Sequence, residues 1–341
     1  MEAAWRKYRD TGSQQHYANF KRLQNKVVSM IRGDKNDYQH RLVLSFKANQ
    51  KKFYGYVRSK QTVKTKVSRL RKQDGNLLAT DEETAATLCE QFSSVFVRES
   101  DICLDVNRMA DNIPGQFDEQ TVLKKLLALK ADKSPGPDLI HPLFLNKTAS
   151  VLAKPISILF SRSFEEGKLP SDWKLAIISP IFKKGDKAKP ENYRQVSLTS
   201  VLCKTMESII RDEVVKYLQN EGLVSESQHG FMHGRSCLTN LLETFEAWTR
   251  LLEEGFGLDV IYLDYQKAFD TVPHQRLIWK LNSAGITGKL LTWLEDFLSE
   301  RKMTVQVNGS FSNWCEVLSG VPQGSVLGPL LCLVYVNDLP D

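Results

Sequence analysis

Three stretches of this 341-residue sequence hold residue types and spacings that suggest chemistry. The first is Leu258-Asp-Val-Ile-Tyr-Leu-Asp-Tyr-Gln-Lys-Ala-Phe-Asp-Thr-Val-Pro273. Residues 260–263 combine two β-branched side chains with an aromatic, which predicts one buried strand ending on Asp264. A carboxylate at the exit of a rigid strand can hold a hard divalent cation such as Mg²⁺. A lone aspartate there would equally cap the turn that follows. Asp270 comes six residues later, and a helical turn after Asp264 would put the two on different faces, so it is not counted as a second ligand. The second stretch, Lys183-Lys-Gly-Asp186, is a turn that places two ammonium groups at its tip, a pattern shared with ordinary surface turns. In the third, Ser319-Gly-Val-Pro-Gln-Gly-Ser-Val-Leu-Gly328, glycines around Val-Pro-Gln leave a backbone that a base pair or sugar can approach closely.

The elements that must position these residues follow from periodicity and punctuation. Helical spacing over 81–97, started by Thr80 or Asp81, is followed by an irregular stretch at 99–114. Residues 121–129 read as helix, and Lys133-Ser-Pro-Gly-Pro-Asp138 as a loop forced by its prolines. Residues 142–164 carry two helical patterns with a stop at Gly167. Residues 175–182 and 193–198 read as partner strands around the lysine turn. Two long amphipathic helices follow, one ending at Gly222 and one over 237–252. Two short helices, 275–282 and 287–298, precede a hairpin in which Asn308-Gly309 joins 303–307 to 314–317. From Val326 onward a helix enters the core.

Leu263-Asp-Tyr-Gln-Lys-Ala-Phe-Asp-Thr-Val272 resembles the first catalytic motif of reverse transcriptases encoded by LINE-type, non-LTR retrotransposons of the jockey-like group. Four further stretches resemble the same family in the same order. They are Lys133 to Asp138, Ile181-Phe-Lys-Lys-Gly-Asp186 with Asn192-Tyr-Arg194, Gln228-His-Gly-Phe-Met-His-Gly-Arg-Ser236, and, most specifically, Ser319 to Gly328. The resemblance covers residues 53–341 and is strongest after Pro135. It implies an α+β fold with right-hand polymerase-like fingers (111–255) and a partial palm (256–341). A basic, mostly helical segment (1–110) precedes them, and the thumb is absent. It further implies that Asp264 binds the catalytic metals, Mg²⁺ or Mn²⁺, and that Phe269 packs under the sugar of an incoming deoxynucleoside triphosphate. Lys183, Lys184 and Arg194 would meet its phosphates, since point-charge lysines and a forked arginine suit a triphosphate. Gln323 and Gly324 would lie beside the nascent base pair. RNA template and DNA primer are the implied partners. Two positions depart from the family pattern: Met232 stands where arginine is typical, and Gln195 where proline is.

In the family a second carboxylate locus, an aromatic-Ala-Asp-Asp hairpin, lies a little beyond an Asn-Asp-Leu-Pro stretch. Here Asn337-Asp-Leu-Pro-Asp341 is present, and Asp338 and Asp341 are not in that motif. The expectation is a fragment of a retroelement polyprotein, an RNA-directed DNA polymerase domain that is inactive as this chain alone. Its strand at Asp264 would lack a neighbour and leave an edge and apolar surface exposed. The alternative is a non-catalytic, nucleic-acid-binding relic of a polymerase.

Charge distribution supports a polyanionic partner. The chain carries +6 overall, but residues 1–72 hold 19 Lys+Arg against 4 Asp+Glu, leaving −9 on the remainder. Phe53, Tyr54 and Tyr56 sit among Lys51, Lys52, Arg58 and Lys60, which suits either bases on rings or rings packed inward. Six scattered cysteines without C-x-x-C spacing argue against zinc or a disulfide framework and for a reducing, intracellular compartment. His229 and His233 are four apart, but Gly230 and Gly234 argue against a helix presenting them to a metal. No apolar run is long enough to span a bilayer.

Overall fold

The computed structural model describes residues 2–47, 50, 53–54, 56, 67–71, 77–99, 113 and 115–339. The chain divides into two compact units, Met1–Lys66 and Val67–Asp341. In the first, α1 (Glu2–Thr11) and α2 (Gln14–Leu44) form a helical hairpin. Gly12, at φ 61°, makes the turn that a side chain would resist. Trp5, Tyr8, Tyr17 and Phe20 staple the two helices with ring centroids 5.0–5.5 Å apart. Elsewhere α2 stays open: Met30 and Ile31 are each 60% exposed, and Leu42 is its buried residue. Phe53 meets Phe46 at 5.0 Å and Tyr56 meets Tyr38 at 5.6 Å, so these two rings pack within the unit. Lys51, Lys52, Arg58 and Lys60 lie outside the described residues.

The second unit is a mixed sheet between helices, an α+β arrangement. Strand β1 (Leu175–Phe182) pairs antiparallel with β2 (Tyr193–Leu198) and parallel with β3 (Lys302–Val307). The short β4 (Ser310–Phe311) and β5 (Cys315–Glu316) both pair antiparallel with β3. The β3–β4 hairpin turns on Asn308 and Gly309, both at positive φ, as an Asn-Gly two-residue turn requires. Helix α3 (Asp81–Ser93) opens with a capping box between Thr80 and Glu83. Its apolar side, Ala85, Leu88 and Phe92, forms one core with Ala176, Ile178, Met303 and Val305 of the sheet. The sequence reading had grouped 67–99 with the upstream basic segment; instead this stretch belongs to the second unit. The sulfurs of Cys89 of α3 and Cys315 of β5 lie in contact, a meeting that scattered cysteines do not announce.

The larger core lies among α4 (Glu119–Leu127), α5 (Pro142–Lys147), α6 (Ala149–Glu166) and α7 (Val201–Asn220). α9 (His274–Ser283), α10 (Gly288–Leu298) and α11 (Gly328–Val336) complete it. Trp293, Phe160, Met206, Leu277 and Phe297 are fully enclosed there. Each such side chain contributes about 1.5–3 kcal/mol by leaving water. Lys174 is buried at 2.9 Å from Asp296, whose other oxygen accepts the Leu169 N–H, so that charge is paired and hydrogen-bonded.

Two segments are unpacked. Residues 260–263 were expected to be a buried strand, and they are not. They carry no strand conformation, and Ile261, Tyr262 and Leu263 are 84%, 82% and 73% exposed. Apolar composition proposes a strand, but a strand also needs a neighbour for its N–H and C=O groups. Among the described residues none of the five strands lies beside it. Helix α8 (Cys237–Glu253) has no buried residue, and Leu238, Leu241, Leu242 and Phe245 of its apolar face are exposed.

Candidate functional site

Two chain segments and one strand are locked together. The turn at 266–271 presents the Phe269 carbonyl to the Val321 N–H at 2.8 Å and the Asp270 carbonyl to Ser319 Oγ at 2.8 Å. The Gly320 N–H donates to the Val272 carbonyl at 2.8 Å, and His274 Nε2 donates to the Gly320 carbonyl at 2.8 Å. On the other side, the Ser197 N–H of β2 donates to the Gln323 carbonyl at 2.8 Å. A Cβ on Gly320 would meet the Asp270 and Phe269 backbone at 2.6–2.7 Å, and one on Gly324 the Ser197 carbonyl at 2.6 Å. The Cβ side of each glycine thus faces the chain's own backbone.

Beneath the far end of this loop, Glu207 of α7 is buried, and one of its oxygens accepts the Val326 and Leu327 N–H groups at 2.7 and 3.1 Å. A carboxylate on the unpaired N–H groups at the start of α11 is favoured by their charge and geometry. It fixes where the Ser319–Gly328 loop ends.

A cleft of about 540 Å³ opens between these elements. Lys183, Arg194, Asp264, Phe269 and Gln323 all line it, so five of the seven side chains singled out in the sequence converge. Lys184 stands exposed at the tip of the β1–β2 loop, outside the lining, and Gly324 faces Ser197. The lysine turn is itself shaped: Asn192 Nδ2 donates to the Asp186 carbonyl at 2.8 Å, and Gly185 takes φ 90° against Asn192. Phe231, from the Gln228–Ser236 stretch, meets the Phe269 ring edge-on at 6.2 Å. His229 of that stretch bonds Glu243 at 2.7 Å and Thr239 at 3.0 Å.

Asp264 is exposed at the cleft's open side, whereas Asp270 is half-buried deeper in. Burial pushes the Asp270 carboxyl above the usual range, opposed by the nearby Gln195 amide and Lys267 ammonium. Gln195 is itself buried, 8% exposed. Asp338 accepts from Lys280 at 2.5 Å, and this bond holds its carboxyl below the usual range. Sequence reasoning missed the roles of Glu207 and Ser319 in holding the loop. Glu207 had a signal: it sits on the same helical face as Cys203 and Ile210, a carboxylate among apolar neighbours.

Residues 181–341 match the family model described as reverse transcriptase (RNA-dependent DNA polymerase). The chain is 31% identical over 222 residues to the RNA-directed DNA polymerase from mobile element jockey of Drosophila melanogaster, covering 64% of this chain and 24% of that protein. It is 30% identical over 226 residues to the "Probable RNA-directed DNA polymerase from transposon X-element" of the same organism, covering 66% and 25%. Residues 181–341 are a non-LTR reverse transcriptase domain. The chain spans about a quarter of the length of these relatives. Reverse transcriptase domains depend on divalent metal ions, which take six or more oxygen ligands. Among the described residues no three His, Cys, Asp or Glu side chains cluster to hold one. No described helix is long and apolar enough to cross a membrane.

Proposed function

We propose that the cleft holds the incoming deoxynucleoside triphosphate of an RNA-directed DNA polymerase, and that the complete protein copies an RNA template from a DNA primer. The observation that carries this reading is the convergence of Lys183, Arg194, Phe269 and Gln323 with Asp264 on one 540 Å³ opening. Lys183 and Arg194 neutralise phosphate oxygens, and Lys184 adds its charge from the exposed loop tip. Phe269 lies under the sugar, and Gln323 and Gly324 stand beside the base pair. Asp264 is one ligand of the Mg²⁺ or Mn²⁺ that the complete domain uses. In this reading β1, β2 and their loop belong to fingers, residues 256–341 to part of a palm, and the protein works inside the cell.

Binding tests it directly. A fluorescent deoxynucleoside triphosphate should bind the 341-residue chain, and Arg194→Ala or Lys183→Ala should each weaken it. A charge-assisted hydrogen bond contributes about 1.5–3 kcal/mol, so each loss should read as roughly ten- to a hundredfold. Unchanged affinity in both variants would refute the assignment.

A second reading, nucleic-acid binding without catalysis, is favoured by the basic first unit, with 16 Lys+Arg against 4 Asp+Glu over residues 1–66. Primer extension separates the two. We expect none from this chain, and extension abolished by Asp264→Asn would sink the second reading.

A further inference from the structure

Among the described residues, five non-glycine positions take a positive φ: Leu139, Phe231, Lys267, Glu300 and Asn308. Asn308 belongs to the hairpin turn already described. Two of the others adjoin Phe269. The Phe231 ring meets it edge-on at 6.2 Å, and Lys267 precedes it by two residues and lines the same cleft. A bulky side chain in the left-handed region is strained, and it persists only where surrounding bonds over-determine the backbone.

Such bonds lie on both sides of Phe231. The Gln228 side-chain amide donates to the Gly230 carbonyl at 3.0 Å. Arg235 donates to the Gln228 carbonyl at 2.9 Å and also to the Glu226 carbonyl, so its guanidinium is committed to shaping the loop. His229 is tied to Thr239 and Glu243 of α8. Together they hold up a ring that the core does not take. Phe231 is 67% exposed, and Phe269 is its one aromatic neighbour among the described residues. A loop kept under strain with an aromatic face in water presents that face rather than packing it. An unstacked nucleobase is the partner such a face suits, because every base has a π-face and its strand carries phosphates for nearby cations. Lys267 supplies a cation on the adjoining turn.

We propose that Phe231 is the stacking residue for the first unpaired base of the template strand. The proposal rests on the reading of the cleft as the polymerase's nucleotide site, and it names the side chain that meets the strand being copied. The 6.2 Å between the rings is under two base steps of about 3.4 Å, which puts Phe231 at the edge of the base pair being formed. Of the two strands only the template continues past that pair, since the primer ends there.

Fluorescence anisotropy on the full 341-residue chain tests this, with an RNA template annealed to a labelled DNA primer. One duplex is blunt and one carries a 5′ template overhang. Phe231→Ala should weaken binding of the overhang duplex roughly five- to a hundredfold and leave the blunt duplex unchanged. An abasic site at the first unpaired template position should cost the wild type the same factor. It should cost Phe231→Ala nothing further, because ring and base are two halves of one contact. Phe231→Trp should bind the overhang at least as tightly as the wild type and lose that affinity at the abasic site; this variant decides the matter if circular dichroism shows Phe231→Ala unfolded. Equal losses on both duplexes, no loss on either, or additive losses from the abasic site and Phe231→Ala would overturn the proposal. The fluorescent deoxynucleoside triphosphate titration separates the two readings. If the wild type binds the nucleotide and the overhang effects are absent, the stacking proposal falls alone; if it binds no nucleotide, the nucleotide-site reading falls and takes this proposal with it.

Discussion

Replacing Gly320 with alanine isolates what the loop's close approach contributes. Gly320 sits at φ 87°, and an added Cβ would stand 2.6–2.7 Å from the Phe269 carbonyl oxygen and the Asp270 Cα and oxygen. Two penalties combine. A side chain in the left-handed region costs about 1–2 kcal/mol. The contact is with backbone, so the turn must shift, and it is held by the bonds from Gly320, Val321 and Ser319 to Val272, Phe269 and Asp270. Losing one or two of these at about 1 kcal/mol each brings the total to roughly 2–4 kcal/mol. Gly309→Ala is the control, because Gly309 is at φ 105° with nothing within 4 Å of its added Cβ, and only the conformational penalty of about 1–2 kcal/mol applies. Urea unfolding followed by tryptophan fluorescence reads both, since Trp173 and Trp293 are buried in the large core. If Gly320→Ala costs no more than Gly309→Ala at equal m-value, the close approach carries no energy and the stitching argument fails.

Two further outcomes follow from charge. Asp270 has a raised folded-state pKa, so its contribution to stability is fully present below the unfolded value near 3.8 and is lost as pH rises through the folded value. Asp270→Asn, which cannot titrate, should therefore gain on the wild type as pH rises from about 4 and then level off; parallel urea midpoints from pH 3 to 8 would contradict this. Removing residues 1–66 should reduce both nucleic-acid affinity and its dependence on salt, because counterion release scales with the phosphates neutralised; an equal slope of log affinity against log salt in both chains would show that the first unit does not bind.

Much of the fold was readable because local signals agreed with the tertiary answer. The β1–β2 hairpin, the capping box at Thr80, the αL stop at Gly167 and the Asn308-Gly309 turn each combine periodicity with punctuation that only one backbone conformation satisfies. Residue type and spacing picked out Lys183, Arg194, Asp264 and Phe269, which the fold brings to one cleft. Residues 260–263 failed the other way: their pattern asks for a strand, but pairing is decided by a neighbour, which no local pattern contains. The role of Ser319 was invisible for a related reason: its partner is the Asp270 carbonyl, 49 residues away, and a hydroxyl does not mark its sequence context.

The parallel pairing of β1 with β3 has a temporal side. β1 ends at Phe182 and β3 begins at Lys302, whereas β2 arrives by Tyr193. At about 5–20 residues per second of synthesis, the 119 residues between them delay the second partner by roughly 6–24 s. Throughout that interval one flank of β1 is a bare row of amides and carbonyls, close to Ala176 and Ile178 that will later be core. Pro180, which has no N–H to offer, shortens the exposed template, and the β1–β3 ladder stops at Ile178. The nascent chain on the ribosome, rather than the finished protein, is thus the species most open to mispairing. Slowing translation between β2 and β3 should lower soluble yield unless a chaperone covers that flank.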